Sequence, residues 1–181
     1  SKDEEVERLK EELDRLLEEV RRLSEESKKR NDELLKRAEE IIEELKKELD
    51  EIREEVERRG LPEEKLERIE RLVKRIKERI EDLLKKSREE HEKSKRRDEE
   101  LLRRLEEVAK EVKRRLDEMA RKGEDKDTVV RRAKKVIDEL RKDVERVKRE
   151  SDEVLKELEK LNREIEREVR KLLKELRDTV R

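Results

Sequence analysis

Residues 34–56 read LLKRAEEIIEELKKELDEIREEV, and this stretch decides the fold. Its apolar residues are Leu34, Leu35, Ala38, Ile41, Ile42, Leu45, Leu49, Ile52 and Val56. They recur at steps of three and four, which puts them on one face of a 3.6-residue helix. Everything between them is charged. Intrinsic disorder is the rival reading for so polar a sequence, because low hydrophobicity is its signature, but a disordered segment has no reason to keep helical phase. The same stripe begins upstream at Val6, Leu9, Leu13, Leu16, Leu17, Val20 and Leu23.

Composition extends the helical reading to the whole chain. Of 181 residues, 64% are charged and 29% hydrophobic, with no Phe, Tyr, Trp, Cys or Gln. Globular proteins carry about 25% charged residues, and Ala, Glu, Lys, Leu and Arg in excess mark long amphipathic helices. Two Gly and one Pro are too few turn residues for a sheet protein. Absence of Cys excludes a disulfide framework and a thiolate metal site. No run approaches the ~18 apolar residues of a membrane span.

The three turn residues divide the chain almost equally. In Arg59-Gly60-Leu61-Pro62-Glu63-Glu64 the Gly suits the left-handed position past a helix end, and Pro with acids suits a first turn. Lys122-Gly123-Glu124-Asp125 repeats that logic, with Asp125 or Asp127 as N-cap. Ser1 and Glu4 have capping-box spacing. The expectation is a single all-α domain over residues 1–181: an antiparallel up-down-up three-helix bundle with long, nearly straight helices. Helix 1 spans about 2–59, helix 2 about 62–121 and helix 3 about 126–180. Helices of that length, on the order of 85 to 90 Å, must be stabilised by packing along one another.

Apolar doublets recur at a spacing of 18: Leu16-Leu17 then Leu34-Leu35, Leu83-Leu84 then Leu101-Leu102, and Val136-Ile137, Val154-Leu155, Leu172-Leu173. Eighteen residues are five turns of an unstrained helix, so the core face does not drift. The same spacing exposes polar residues in core phase. Ser24 falls between Val6 and Ile42, Ser27 between Leu9 and Leu45, and Asn31 between Leu13 and Leu49. Ser87, His91, Ser94 and Asp98 occupy core phase in helix 2, as do Ser151 and Asn162 in helix 3.

Folding back around the two loops sets Ser24 near Asp98, Ser27 near Ser94, Asn31 near His91, Ser151 between Ser94 and Asp98, and Asn162 near Ser87. Burying such groups costs a few kcal/mol each unless they bond one another. The nine are therefore expected to form a buried polar network that fixes helix register and orientation, as a buried Asn does in coiled coils. Asp98 is expected to reach the bundle edge or to bond Ser24 and Ser151.

Other chemistry is thinly represented. His91, Ser94 and Asp98 lie within two turns, but a hydrolytic triad also needs an oxyanion hole and a cavity, and a continuous helix has its N–H groups already bonded. One His and one Asp make a poor zinc site. No catalytic residue, metal or cofactor is expected, and the chain is not read as an enzyme. Lys and Arg number 57 against 58 Asp and Glu, interleaved so that nucleic acid finds no one-sided field. Met119 reads as a core gap-filler. A buried neutral His91 would let stability fall as pH drops below about 6.5.

Taken together, the aromatic-free and Gln-free composition, the Glu/Lys/Arg surface, the 18-residue period, the minimal Gly loops and the Ser/Asn/His core layers resemble de novo designed, parametrically generated helical bundles with buried hydrogen-bond networks. The resemblance covers the whole chain as a style, without a signature motif. It implies a stable scaffold with no evolved activity. Such a chain is expected to be monomeric, with no required partner, no membrane and no targeting signal. The alternative is a switchable or assembly component that exchanges a helix, pairs with a partner helix or responds to pH through His91. Against it, the outward positions Glu11, Lys47, Arg75, Glu111, Lys142 and Lys156 are charged, which leaves no second apolar stripe.

Overall fold

The computed structural model describes residues 2–123 and 125–181. Three helices account for nearly all of them: α1 (Lys2–Arg59), α2 (Glu63–Lys122) and α3 (Lys126–Val180). Their boundaries follow from the turn chemistry. Gly60 and Gly123 adopt φ of +56° and +64°, the left-handed conformation that only Gly takes without a Cβ penalty. Pro62 stands one residue ahead of the expected place. It precedes α2, and its carbonyl accepts the first helical hydrogen bond, from Leu66 N–H at 3.0 Å.

Of the two Asp residues open as the α3 cap, Asp125 holds the position. Its side chain accepts Asp127 N–H at 3.2 Å and the Thr128 hydroxyl at 2.8 Å, satisfying groups that a helix start leaves unbonded. The Ser1–Glu4 capping box lies outside the described residues. At the other end of α3, Arg59 Nη1 donates to Val180 C=O at 2.9 Å, serving one of the last carbonyls.

Contacts gather into two compact units, and each holds a portion of all three helices. Unit 1 comprises Ser1–Lys29 and Lys93–Glu153, and unit 2 comprises Arg30–Glu92 and Val154–Arg181. Inside each, α1 and α2 are antiparallel while α1 and α3 are parallel, so the fold is all-α, an antiparallel three-helix bundle. Unit 1 is built on a cluster that includes Leu13, Leu116, Met119, Ala133 and Ile137. Unit 2 is built on one that includes Ala38, Leu45, Ile76, Leu83, Ile165 and Leu176, with Val154, Leu158 and Leu161 packing on Leu34. Five of the doublets divide their labour: Leu83, Leu101, Ile137, Val154 and Leu173 are buried, and the neighbour of each is half-buried, whereas both members of Leu16-Leu17 and of Leu34-Leu35 are half-buried.

Charged side chains flank these cores in an ordered way. Along the α1–α3 seam of unit 1, Glu5 pairs with Lys134, Glu12 with Arg141 at 2.8 Å and Glu19 with Lys148 at 2.8 Å. Both sets are spaced by seven, so acids of one helix meet bases of the other at every second turn. Hydrogen bonding to Lys134 holds the Glu5 carboxyl below its ordinary range, and bonding to Glu19 and Glu145 raises the Lys148 ammonium. In unit 2, Glu48 meets Arg170 and Arg177 across the same seam. Between α1 and α2, Lys10 pairs with Asp117, Lys113 with Asp14 and Arg21 with Glu106.

Candidate functional site: the polar core positions

In α1 and α2 the aliphatic core is interrupted at the expected residues, whereas in α3 the buried run Leu158, Leu161, Ile165 and Val169 passes Asn162 unbroken. Between Val20 and Ala38 the buried positions of α1 are Ser27 and Asn31. Between Leu83 and Leu101 those of α2 are Ser87, Ser94 and Asp98. Ser24, His91, Ser151 and Asn162 are half-buried. The nine residues fall into both units: Ser24, Ser27, Ser94, Asp98 and Ser151 in unit 1, and Asn31, Ser87, His91 and Asn162 in unit 2.

In unit 1 the central group is Asp98, 9% exposed. Burial pushes its carboxyl above the ordinary aspartate range. A hydrogen bond donated by Ser27 and the charge of Arg97 oppose that rise, and the charge of Glu150 adds to it. Arg97 is itself paired with Glu150 at 3.5 Å. The donor is thus Ser27, most of a turn along α1 from the expected Ser24. The direction of the offset follows from the lean of helical side chains toward their own N-termini. In an antiparallel pair the two leans bring together residues that are not level by Cα rise. Ser24 and Ser151 do share a site with Asp98, since all three line one small cavity.

In unit 2, His91 Nε2 lies 2.6 Å from Asp32 Oδ1, one position on from the expected Asn31 and displaced in the same direction. A neutral ring protonated at Nε2 and an imidazolium can both donate to that carboxylate, so adding a proton to the ring does not remove the contact. Asn162 Nδ2 donates to Leu34 C=O at 3.1 Å, joining α3 to the main chain of α1.

Ser87 differs from Ser27, His91 and Asn162. It is 1% exposed, and its Oγ has no hydrogen-bond partner. A buried hydroxyl without a partner costs more than an apolar group in its place, and Ala is the better helix former. Ser87→Ala is therefore expected to raise stability by about 1 kcal/mol, read as a higher urea midpoint at unchanged m-value. A loss of stability would show that the hydroxyl is bonded in solution.

Sequence reasoning missed Asp32, one of many exposed acids, and the Leu34 carbonyl, because a main-chain acceptor inside a helix has no sequence signal. Among the described residues, no group of three or more His, Cys, Asp or Glu could hold a metal ion, and no helix is long and apolar enough to cross a membrane. No protein-family model, curated protein or solved structure matches this chain.

Proposed function

We propose that this chain is a designed structural scaffold with no natural biochemical activity, monomeric in solution, whose buried polar side chains specify helix register and orientation. The observation that carries this reading is the burial of Asp98 in the aliphatic core with Ser27, also buried, as its neighbour on the facing helix. A carboxylate inside an aliphatic core adds nothing to burial and is costly unless a donor stands at one place on the facing helix. Its energetic return lies in the arrangements it disfavours. The composition and minimal loops support the designed origin.

The test exchanges specificity for hydrophobicity. In the variant Ser27→Ala, Ser94→Ala, Asp98→Leu, the chain should unfold at no lower urea concentration than the parent, since apolar replacements of buried charge are often neutral or stabilising. It should also lose uniqueness, seen as extra amide cross-peaks or as a mass in light scattering above the 22.3 kDa chain. A parent that itself runs at twice or three times 22.3 kDa would refute the monomeric scaffold in favour of an assembly component. A variant with one set of cross-peaks and the parent mass would move the specifying role to the charged seams.

A further inference from the structure

Asp98, Ser24 and Ser151 come from three different helices and line one cavity in unit 1, whose remaining walls are five aliphatic side chains. The cavity measures about 10 Å³, close to the least space that admits one water molecule. Dry cavities are apolar, whereas a buried water needs two to four polar partners. This one offers a carboxylate and two hydroxyls. Asp98 draws one hydrogen bond from Ser27, and an ionised carboxylate has about four acceptor positions.

We propose that this cavity, partly open to solvent, is a binding site for a single ordered water, which joins Asp98 of α2 to Ser24 of α1 and Ser151 of α3. The water donates one hydrogen bond to the Asp98 carboxylate. It accepts from one serine hydroxyl and donates its second hydrogen to the other. Three helices that a direct Ser–Asp pair would join only two at a time are then tied through one oxygen. The titratable groups facing the site are Asp98 itself, with Arg97 and Glu150 beside it. The inference stands on the cavity and its three polar residues, and holds whether or not the chain is a scaffold.

Water–protein cross-relaxation by NMR on the full chain tests it. A water residing longer than about a nanosecond should give cross-peaks at the amides of Ser24, Asp98 and Ser151, and Ser151→Val should abolish them. Ser24→Ala and Ser151→Ala supply a second readout. Their effects on the unfolding constant should fail to multiply by a factor of about three or more, as coupled residues do. Absence of the cross-peaks with independent effects of the two substitutions would overturn the proposal and leave a dry cavity. Stability that changes when choline replaces sodium at fixed ionic strength, in the parent but not in Ser151→Val, would also overturn it, by identifying the occupant as a cation.

Discussion

Ser27→Ala is expected to destabilise the chain by about 1–2 kcal/mol at pH 7, and by less than half of that at pH 3. A hydrogen bond to a charged group contributes about 1.5–3 kcal/mol, and the helix preference of Ala over Ser returns a few tenths. The pH dependence identifies the partner. Burial raises the folded pKa of Asp98 above an unfolded value of about 3.9, so between those two values the folded state binds more protons than the unfolded one. The protonated carboxyl's contribution is fully present below the unfolded pKa and is lost as pH rises through the folded pKa. Because the Ser27 hydroxyl favours the charged form, its removal is felt where Asp98 is ionised. Asp98→Asn should act in the opposite sense, raising stability at pH 7 relative to the parent, with a difference that shrinks as pH falls into the carboxylate range. Urea unfolding of the parent and both variants at the two pH values makes the comparison, and the other carboxylates cancel in the differences. An equal cost of Ser27→Ala at pH 7 and pH 3 would show that Asp98 is not the acceptor.

Glu12→Lys with Glu19→Lys places like charges opposite Arg141 and Lys148, and should cost about 1–3 kcal/mol, since each exposed pair contributes about 0.2–1 kcal/mol and its reversal replaces attraction by a comparable repulsion. Both Glu side chains are about one-third exposed. The loss should therefore fall by more than half between 50 mM and 1 M NaCl, where screening shortens to about 3 Å. Adding Arg141→Glu and Lys148→Glu should restore at least half of the lost stability at low salt, although Asp138 and Glu145 then meet like charges on their own helix. A cost that ignores salt, or a charge-swapped quadruple variant as unstable as the double, would mean that the seam depends on the aliphatic stems of these side chains.

Most of the fold was legible because helical phase is redundant. Leu13, Ile76 and Ile165 are fully buried, and any dozen such residues would have located the stripe. The turn residues located the helix ends, with Pro62 displaced by one. The polar core positions were legible as departures from the same phase, so Ser27, Asn31, Ser87, Ser94 and Asp98 are buried where the 18-residue comparison puts them. Their partners were less so. Level matching by Cα rise takes no account of side-chain lean, which turned Ser24 into Ser27 and Asn31 into Asp32. The heptad-spaced pairs escaped notice because sliding by 18 aligns core residues and scrambles a period of seven. The interruption of aliphatic residues between Val20 and Ala38, and between Leu83 and Leu101, was visible all along. The bounds of the two units in α1 and α2 fall within these interruptions, a division that depends on pairs from all three helices and has no signal along one.

The α1–α3 seam of unit 1 behaves as a ruler whose graduations are identical. Moved by one graduation, Glu5 would meet Arg141 and Glu12 would meet Lys148, with two of three attractions intact and the apolar stripe nearly in phase. Charge alone therefore measures phase and cannot tell one heptad from the next. A ruler of this kind needs a zero mark, and on the proposed reading Ser151, which lines one cavity with Asp98, supplies it. The same displacement would bring Val144 or Leu158 to the place of Ser151, so that a buried carboxylate faces hydrocarbon at a penalty of several kcal/mol. On the proposed reading, the repeating pairs favour every alignment a heptad apart alike, and the one unrepeated polar triplet decides which is kept.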